Sequence, residues 1–322
     1  MRPARRHSTS GRARLQPADL KFSKARAYQL ARRVVLFSSL SLAVLTPLWR
    51  LGNIERESAG VAAQGTRVVI ADRLPDVASP MLGAPWTVRV FGVEFMDPLA
   101  AIGLAVAGGF PLGAWLGVLL PLVLVAALGR FFCGWLCPYV PLLALSNSVR
   151  ALLARLGLAL PDVRLPKQAG FMLLATVLIS AAVGGTQLGA LLYPPSLLGR
   201  ELFRYIFYGT CGTGALLILA VFLFDTFVAR AGFCRSLCPG GALFRILGGA
   251  SPITVKRVAP DCTACTACDV VCNLGQKPMT DQTDSGCDRC GKCISVCPTG
   301  ALHFGIETTA KSSSFALRRG MR

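Results

Sequence analysis

Two cysteine runs near the C-terminus constrain this 322-residue chain more than any other feature. The first is Cys262-x2-Cys265-x2-Cys268-x3-Cys272; the second is Cys287-x2-Cys290-x2-Cys293-x3-Cys297-Pro298. Runs of this spacing hold pairs of [4Fe–4S] clusters. Three close cysteines grip one cubane, and the distant fourth ligates the other. The spacing therefore predicts one cluster on Cys262, Cys265, Cys268 and Cys297, and a second on Cys287, Cys290, Cys293 and Cys272. Zinc is the alternative, but structural zinc usually takes two separated C-x2-C pairs, which fit these tight quartets poorly. Asn273 stands where the pattern expects Pro. That weakens the turn, not the ligand set.

The rest of the chain is strongly apolar: 53% hydrophobic, 16% charged, mean hydropathy +0.55. Such a composition points to a membrane. Thirteen cysteines with C-x2-C spacing read as cofactor ligands, not disulfides. The net charge of +18 admits nucleic acid as a partner, but its placement argues against that. Ten Lys or Arg crowd residues 1–33 against the single acid Asp19, a positive-inside signal. The two histidines, His7 and His303, lie outside the apolar stretches, so a membrane-embedded haem with histidine ligands is excluded.

Four stretches are candidates for the ~20-residue apolar span that a bilayer requires. They are Val34–Trp49, a segment within Leu112–Leu128, Gly170–Leu192 and Gly209–Val228. Shorter pieces, Leu99–Phe110 and Leu197–Tyr208, read as interfacial or re-entrant helices. The expected architecture is an α-helical membrane protein with four transmembrane helices and a C-terminal α+β two-cluster ferredoxin domain. Its parts are a basic segment 1–33, a membrane domain 34–250, the ferredoxin domain 251–307 and a disordered tail 308–322. With both termini inside, 27 of the 34 Lys and Arg fall on the inner side. The ferredoxin domain is then cytoplasmic, at a bacterial inner membrane.

An internal repeat joins the two halves of the membrane domain. Phe132-Cys133-Gly134-Trp135-Leu136-Cys137-Pro138 returns as Phe233-Cys234-Arg235-Ser236-Leu237-Cys238-Pro239. An i,i+4 spacing on a helix places both sulfurs of a pair on one face. Two such pairs brought together offer four thiolates at one point, enough for a further Fe–S cluster or a redox-active thiol centre. Packing as small hydrophobes is the alternative. Cys133, Cys137, Cys234 and Cys238 are thus a candidate redox centre, whereas Cys211 reads as packing. Asp225, an acid within the fourth stretch, is a candidate functional residue or a snorkelling interfacial one. Asp97, Arg200 and Glu201 are placed at the outer surface, as proton exits or ordinary surface charge.

Several segments resemble the NapH/MauN group of membrane polyferredoxins. They are Gly129 through Pro138, Gly214 through Asp225, Asp97-Pro98-Leu99, Pro195 through Arg200, and Gly232-Phe233-Cys234 through Cys238-Pro239. The resemblance covers about residues 34–307. It implies four spans, two cytoplasmic [4Fe–4S] clusters and a ferredoxin-type quinol dehydrogenase subunit. Quinol is then the substrate, and the partners are the quinone pool, membrane lipid, a periplasmic ferredoxin or c-type cytochrome, and a client reductase or dehydrogenase. Nitrate-reductase-like and methylamine-utilisation-like systems are the implied clients. A second function stays open, that of a maturation factor reducing thiols or metal in a metalloenzyme without oxidising quinol. A membrane anchor or redox sensor is a third.

Overall fold

The computed structural model describes residues 25–41, 88–90, 93–95, 97–106, 115–158, 160–166, 168–184, 192–281 and 283–306. The tail 308–322 and most of the basic segment lie outside them. Helix α1 covers residues 25–41. A small antiparallel hairpin, β1 (Val88–Val90) with β2 (Val93–Phe95), precedes α2 (Pro98–Val106). Then come α3 (Trp115–Leu128), the short α4 (Phe131–Trp135), α5 (Val140–Arg155) and α6 (Gln168–Gly184). The second half repeats the order with α7 (Pro194–Tyr208), α8 (Thr213–Leu223), two π-turns and α9 (Pro239–Leu247).

The four-span architecture is not what forms: among the described residues, no helix is long and apolar enough to cross a membrane. At 1.5 Å per residue, the 14 described residues of α3 reach about 21 Å, the 17 of α6 about 26 Å and the 11 of α8 about 17 Å, while 107–114 before α3 and 185–191 after α6 lie outside the described residues. A hydrocarbon core is ~30 Å thick. Local causes are visible. Pro121 sits inside α3, which stops against Gly129 at φ +66°. Gly209 at φ +64° ends α7, and α8 begins only after Gly212. At its other end α8 gives way to a π-turn, Phe224–Val228, in which Asp225 is wholly buried. Of the expected first span, residues 34–41 belong to α1, and residues 42–49 lie outside the described ones. Apolar side chains still stand exposed on these helices, among them Leu116, Met172, Ile179, Val183 and Leu216. Of the two shorter stretches, residues 99–106 and Leu197–Tyr208 are helical, in α2 and α7, and residues 107–110 lie outside the described ones.

The core gathers where α2, α6 and α9 meet. Leu99, Leu174, Leu243 and Ala242 pack there with Tyr193 and with Cys238 itself. The C-terminal domain is an antiparallel pair, β3 (Ile253–Arg257) on β4 (Leu302–Ile306), with the short helices α10 (Ala267–Val271) and α11 (Lys292–Ser295) between. Its core combines Val255 and Leu302 with Cys268 and Cys293. It is not tethered loosely. Arg230 donates to Val270 O (2.6 Å) and Asn273 Oδ1 (3.2 Å), Trp135 Nε1 to Arg289 O (3.3 Å) and Arg130 to Gly286 O (3.3 Å). Asn273 thus has a structural use in the place where the pattern expected Pro.

Candidate iron–sulfur sites

The two quartets wind alike. Ala264 and Arg289 occupy matching places between the first two cysteines of each run, and both are left-handed, at φ +53° and +51°. Thr266 and Gly291 match in the same way at +60° and +67°. Non-glycine residues rarely adopt this backbone, so its recurrence marks a geometry that the surroundings enforce. Successive turns of alternating hand aim amide N–H groups into a concavity suited to an anion, as an Fe–S cluster with thiolate ligands is.

Cys262, Cys265, Cys268 and Cys297 line one pocket together with Met279, Ala301 and Leu302. This is the set expected for the first cluster, with Cys297 contributed by the other run. Burial opposes ionisation of Cys297, but the Thr299 hydroxyl and backbone N–H groups of Ala301, Leu302 and Thr299 outweigh it and hold its pKa below the ordinary thiol value. In the second set, Cys272 and Cys287 are electrostatic neighbours of Cys293. Burial, reinforced by Asp288, pushes the Cys287 thiol up to about 12. Thiols so buried ionise when a metal replaces the proton. Among the described residues, no three His, Cys, Asp or Glu side chains converge on a point that a single metal ion would occupy. A cubane instead presents four separate irons. The cysteine sets and their turns fit that kind of group.

Each C-x3-C-P motif closes with the same wide turn: Cys137 N donates to Phe132 O (3.0 Å), and Cys238 N to Phe233 O (2.8 Å). The pairs therefore do not share the face of one regular helix, because both chains widen by one residue before the second cysteine. Cys238 caps the helix that follows, whereas the helix after Cys137 has Tyr139 in the cap position. Cys238 Sγ accepts the amide of Gly241 at 3.3 Å, and Cys137 accepts the amides of Tyr139 and Val140. All four motif cysteines line a single cavity of about 660 Å³, and Cys290 of the second quartet lines it too.

Other candidates take different places. Asp225 does not snorkel. It is fully buried, its Oδ1 accepting Phe233 N (2.9 Å) and its Oδ2 the Tyr139 hydroxyl (3.1 Å). Asp97 is buried rather than at an outer surface, and it caps α2 through Leu99 N (2.8 Å) and Ala100 N (3.3 Å). Glu201 is buried and accepts Gly212 N, with Arg200 4.0 Å away. Cys211 is exposed, so it does not pack.

Two features escaped the sequence reading. One is Arg130, 1% exposed, whose Nη2 lies 3.9 Å from Cys133 Sγ and 3.2 Å from Cys234 O. Its signal was a break in the repeat, because the position 101 residues on is Ala231. The other is α1, whose charges read only as topological. Tyr28 donates to Arg289 O (2.7 Å), Gln29 to Cys290 O (2.8 Å) and Arg32 to Gly134 O (2.8 Å). The helix covers the second quartet and the first motif together.

Family models described as 4Fe-4S binding domains match residues 108–156 and 212–257, the two motif halves, and residues 284–303. The ferredoxin-type protein NapH of Escherichia coli (strain K12) is 35% identical over 217 residues, covering 64% of this chain and 72% of the relative. NapH of Haemophilus influenzae is 30% identical, covering 67% and 76%. The methylamine utilization ferredoxin-type protein MauN of Methylorubrum extorquens is 33% identical, covering 61% and 69%. No solved structure matches.

Proposed function

The chain belongs to the NapH/MauN family of ferredoxin-type proteins, and from that premise we propose that it is the electron-transfer component of a quinol dehydrogenase. An iron–sulfur electron-transfer role is carried by the family and by the 4Fe-4S binding segments. The quinol, the bacterial inner membrane and a cytoplasm-facing ferredoxin domain are our reading. So is a periplasmic ferredoxin or c-type cytochrome that passes electrons on to a client reductase or dehydrogenase.

The observation that carries the quinol is the cavity of about 660 Å³. It has the volume of a small-molecule site. Leu36, Phe37 and Leu40 of α1 and Leu143 of α5 give it apolar walls, which suit a quinol ring. Tyr139 and Tyr193 lie on the same lining, and the Tyr139 hydroxyl, which donates to Asp225, can accept the proton of a quinol hydroxyl. When bound, the clusters supply one-electron chemistry. A quinol becoming a quinone releases two electrons and two protons, so two such centres match its electron count. Tyr139 joins the cavity to the buried Asp225, and this pair is the proposed route for a proton. Cys290, on the cavity wall, is the proposed ligand nearest the substrate.

The test is anaerobic mixing of the reconstituted full chain with a quinol. Bleaching of the iron–sulfur absorption, with quinone formed in proportion, is the expected result. Bleaching by dithionite but by no quinol would overturn the quinol reading. It would favour the maturation reading, which the four thiols sharing one cavity also support.

A further inference from the structure

A quinol that becomes a quinone gives up two protons, and the pair Tyr139 and Asp225 provides for one. We propose that Tyr193, with the buried carboxylate of Asp97 behind it, takes the other. Each half of the repeat then contributes one tyrosine to the cavity and the acid that serves the other half's tyrosine. The inference deepens the quinol reading and rests on it.

Three observations carry the argument. First, the two tyrosines hold matching places. Both line the cavity, and each is the residue before a helix, Tyr139 before α5 and Tyr193 before α7. The position 101 residues beyond Tyr139 is Gly240, which has no side chain to offer. The ring of Tyr193 fills the room that a side chain there would need, its Cδ2 lying 2.8 Å from where a Cβ on Gly240 would stand. Tyr193 thus supplies, from elsewhere in the chain, what the second half lacks at its own repeat position.

Second, each tyrosine has a buried carboxylate from the other half as its neighbour. Tyr139 donates to Asp225 Oδ2 at 3.1 Å. Burial raises the Asp97 carboxyl to about 6, and the Leu99 and Ala100 amides and the Tyr193 hydroxyl pull against it. A group that changes protonation near neutral pH suits proton transfer.

Third, Asp97 keeps one oxygen open. Its Oδ1 caps α2 through Leu99 N and Ala100 N, which is all that a cap requires. Its Oδ2 has no hydrogen-bond partner among the described residues, although the side chain is 1% exposed. A buried acceptor left open is costly, and a serine would cap the same helix without it. Catalytic hydrogen bonds tighten once substrate is in place, and Oδ2 is the oxygen left for the Tyr193 hydroxyl.

Each quinol oxygen loses its O–H bond. One proton passes to Tyr139 Oη as Tyr139 gives its own to Asp225. The other passes to Tyr193 Oη as Tyr193 gives its own to Asp97 Oδ2. Two carboxylates become two carboxylic acids, and both tyrosines end as they began. The two electrons are taken singly by two ferredoxin-type clusters, each going from the 2+ to the 1+ state.

The experiment is anaerobic stopped-flow reduction of the reconstituted full chain by tetramethyl-1,4-benzoquinol, set beside reduction by dithionite. Tyr193→Phe and Asp97→Asn should each lower the limiting rate with the quinol about 10²-fold, the low end of what a positioned acid or base contributes. The half-saturating quinol concentration should change less than about twofold, because substrate binding is kept. Dithionite presents no proton to be removed, so its rate, and the iron content, should stay at the wild-type level. Asp97→Glu keeps a carboxylate and should recover part of the quinol rate. Wild-type quinol rates in both variants would overturn the second proton route and leave the quinol reading standing. Equal slowing with quinol and with dithionite would mark a structural role and overturn it too. Loss in Tyr193→Phe but not in Asp97→Asn would overturn the part given to Asp97. A wild type that dithionite bleaches and the quinol does not would sink the quinol reading itself. Should Asp97→Asn lose its iron, Tyr193→Phe, which keeps the ring over Gly240, decides alone.

Discussion

Tyr139 donates its hydroxyl to Asp225 Oδ2 at 3.1 Å, and the other oxygen of the same carboxylate takes the amide of Phe233 at 2.9 Å. One buried side chain thus fastens the residue just after the first C-x3-C-P motif to the residue that opens the second. Asp225 is the pin of the repeat, and the distance between the two cysteine pairs depends on it.

Tyr139→Phe should therefore destabilise the fold by about 1.5–3 kcal/mol, the usual worth of a buried hydrogen bond to a charged group. The loss should depend on pH. Burial raises the Asp225 carboxyl to about 6, against which the Phe233 amide and the Tyr139 hydroxyl pull downwards. The folded state holds this proton more tightly than the unfolded state does. Stability falls as pH rises from about 4 towards about 6, where the buried carboxylate becomes charged. The variant lacks a donor that stabilises the charged form, so its Asp225 carboxyl is pushed up further, and its deficit should be small up to about pH 6 and grow as the pH rises above it. Denaturant titrations from pH 4 to well above pH 6 measure it. Tyr139→Phe combined with Asp225→Asn should remove the part of the pH dependence that Asp225 carries.

Gly134→Ala should loosen the joint between the first motif and the second quartet. A Cβ at Gly134 would meet the carbonyl oxygen of Asp288 at 2.6 Å, and a backbone atom gives little. Overpacking of this kind costs about 1–3 kcal/mol. Thermal unfolding should shift down accordingly. The EPR signal that depends on Cys287, Cys290, Cys293 and Cys272 should broaden, while the other ferredoxin signal holds.

How much of this was legible in advance differs by residue. The eight cysteines of the two runs stand out in the sequence because iron–sulfur ligation fixes spacing along the chain. The repeat marks the C-x3-C-P pairs, but not the wide turns that close them. The spans could not be read. Hydropathy counts apolar residues without knowing where a helix stops, and Gly129, Gly212 and the π-turn at Phe224–Val228 stop these early. Asp97 and Glu201 looked like surface charge because their partners are backbone amides, which leave no trace in sequence. The covering role of α1 was hidden for the same reason, since Tyr28 and Gln29 reach for carbonyl oxygens.

That cover yields the next expectation. Tyr28→Ala with Gln29→Ala removes two hydrogen bonds to the backbone at Arg289 and Cys290, and a ring that packs edge-on to Trp135 at 4.8 Å. Air should then destroy the cluster on Cys287, Cys290, Cys293 and Cys272 several-fold faster, by admitting oxygen and water. The cluster on Cys262, Cys265, Cys268 and Cys297 should decay at the wild-type rate. Timed EPR after exposure to air separates the two.

The proposed crossed ligation has the sharpest test among these expectations. Cys297 lines one pocket with Cys262, Cys265 and Cys268 although it belongs to the other run, and Cys272 neighbours Cys287 and Cys293 in the same crossed manner. If each run held its own four ligands, Cys272→Ser would disturb the cluster of the first run, and Cys297→Ser that of the second. Crossed ligation reverses this. Cys272→Ser should change the signal shared with Cys287→Ser and leave the one lost in Cys262→Ser. Cys297→Ser should do the opposite. Serine keeps the volume and offers an oxygen, so each variant should retain a fold and lose at most one cluster, about four irons of the total. Iron analysis with EPR of the four single variants is the measurement, and uncrossed pairing of the signals would refute the assignment.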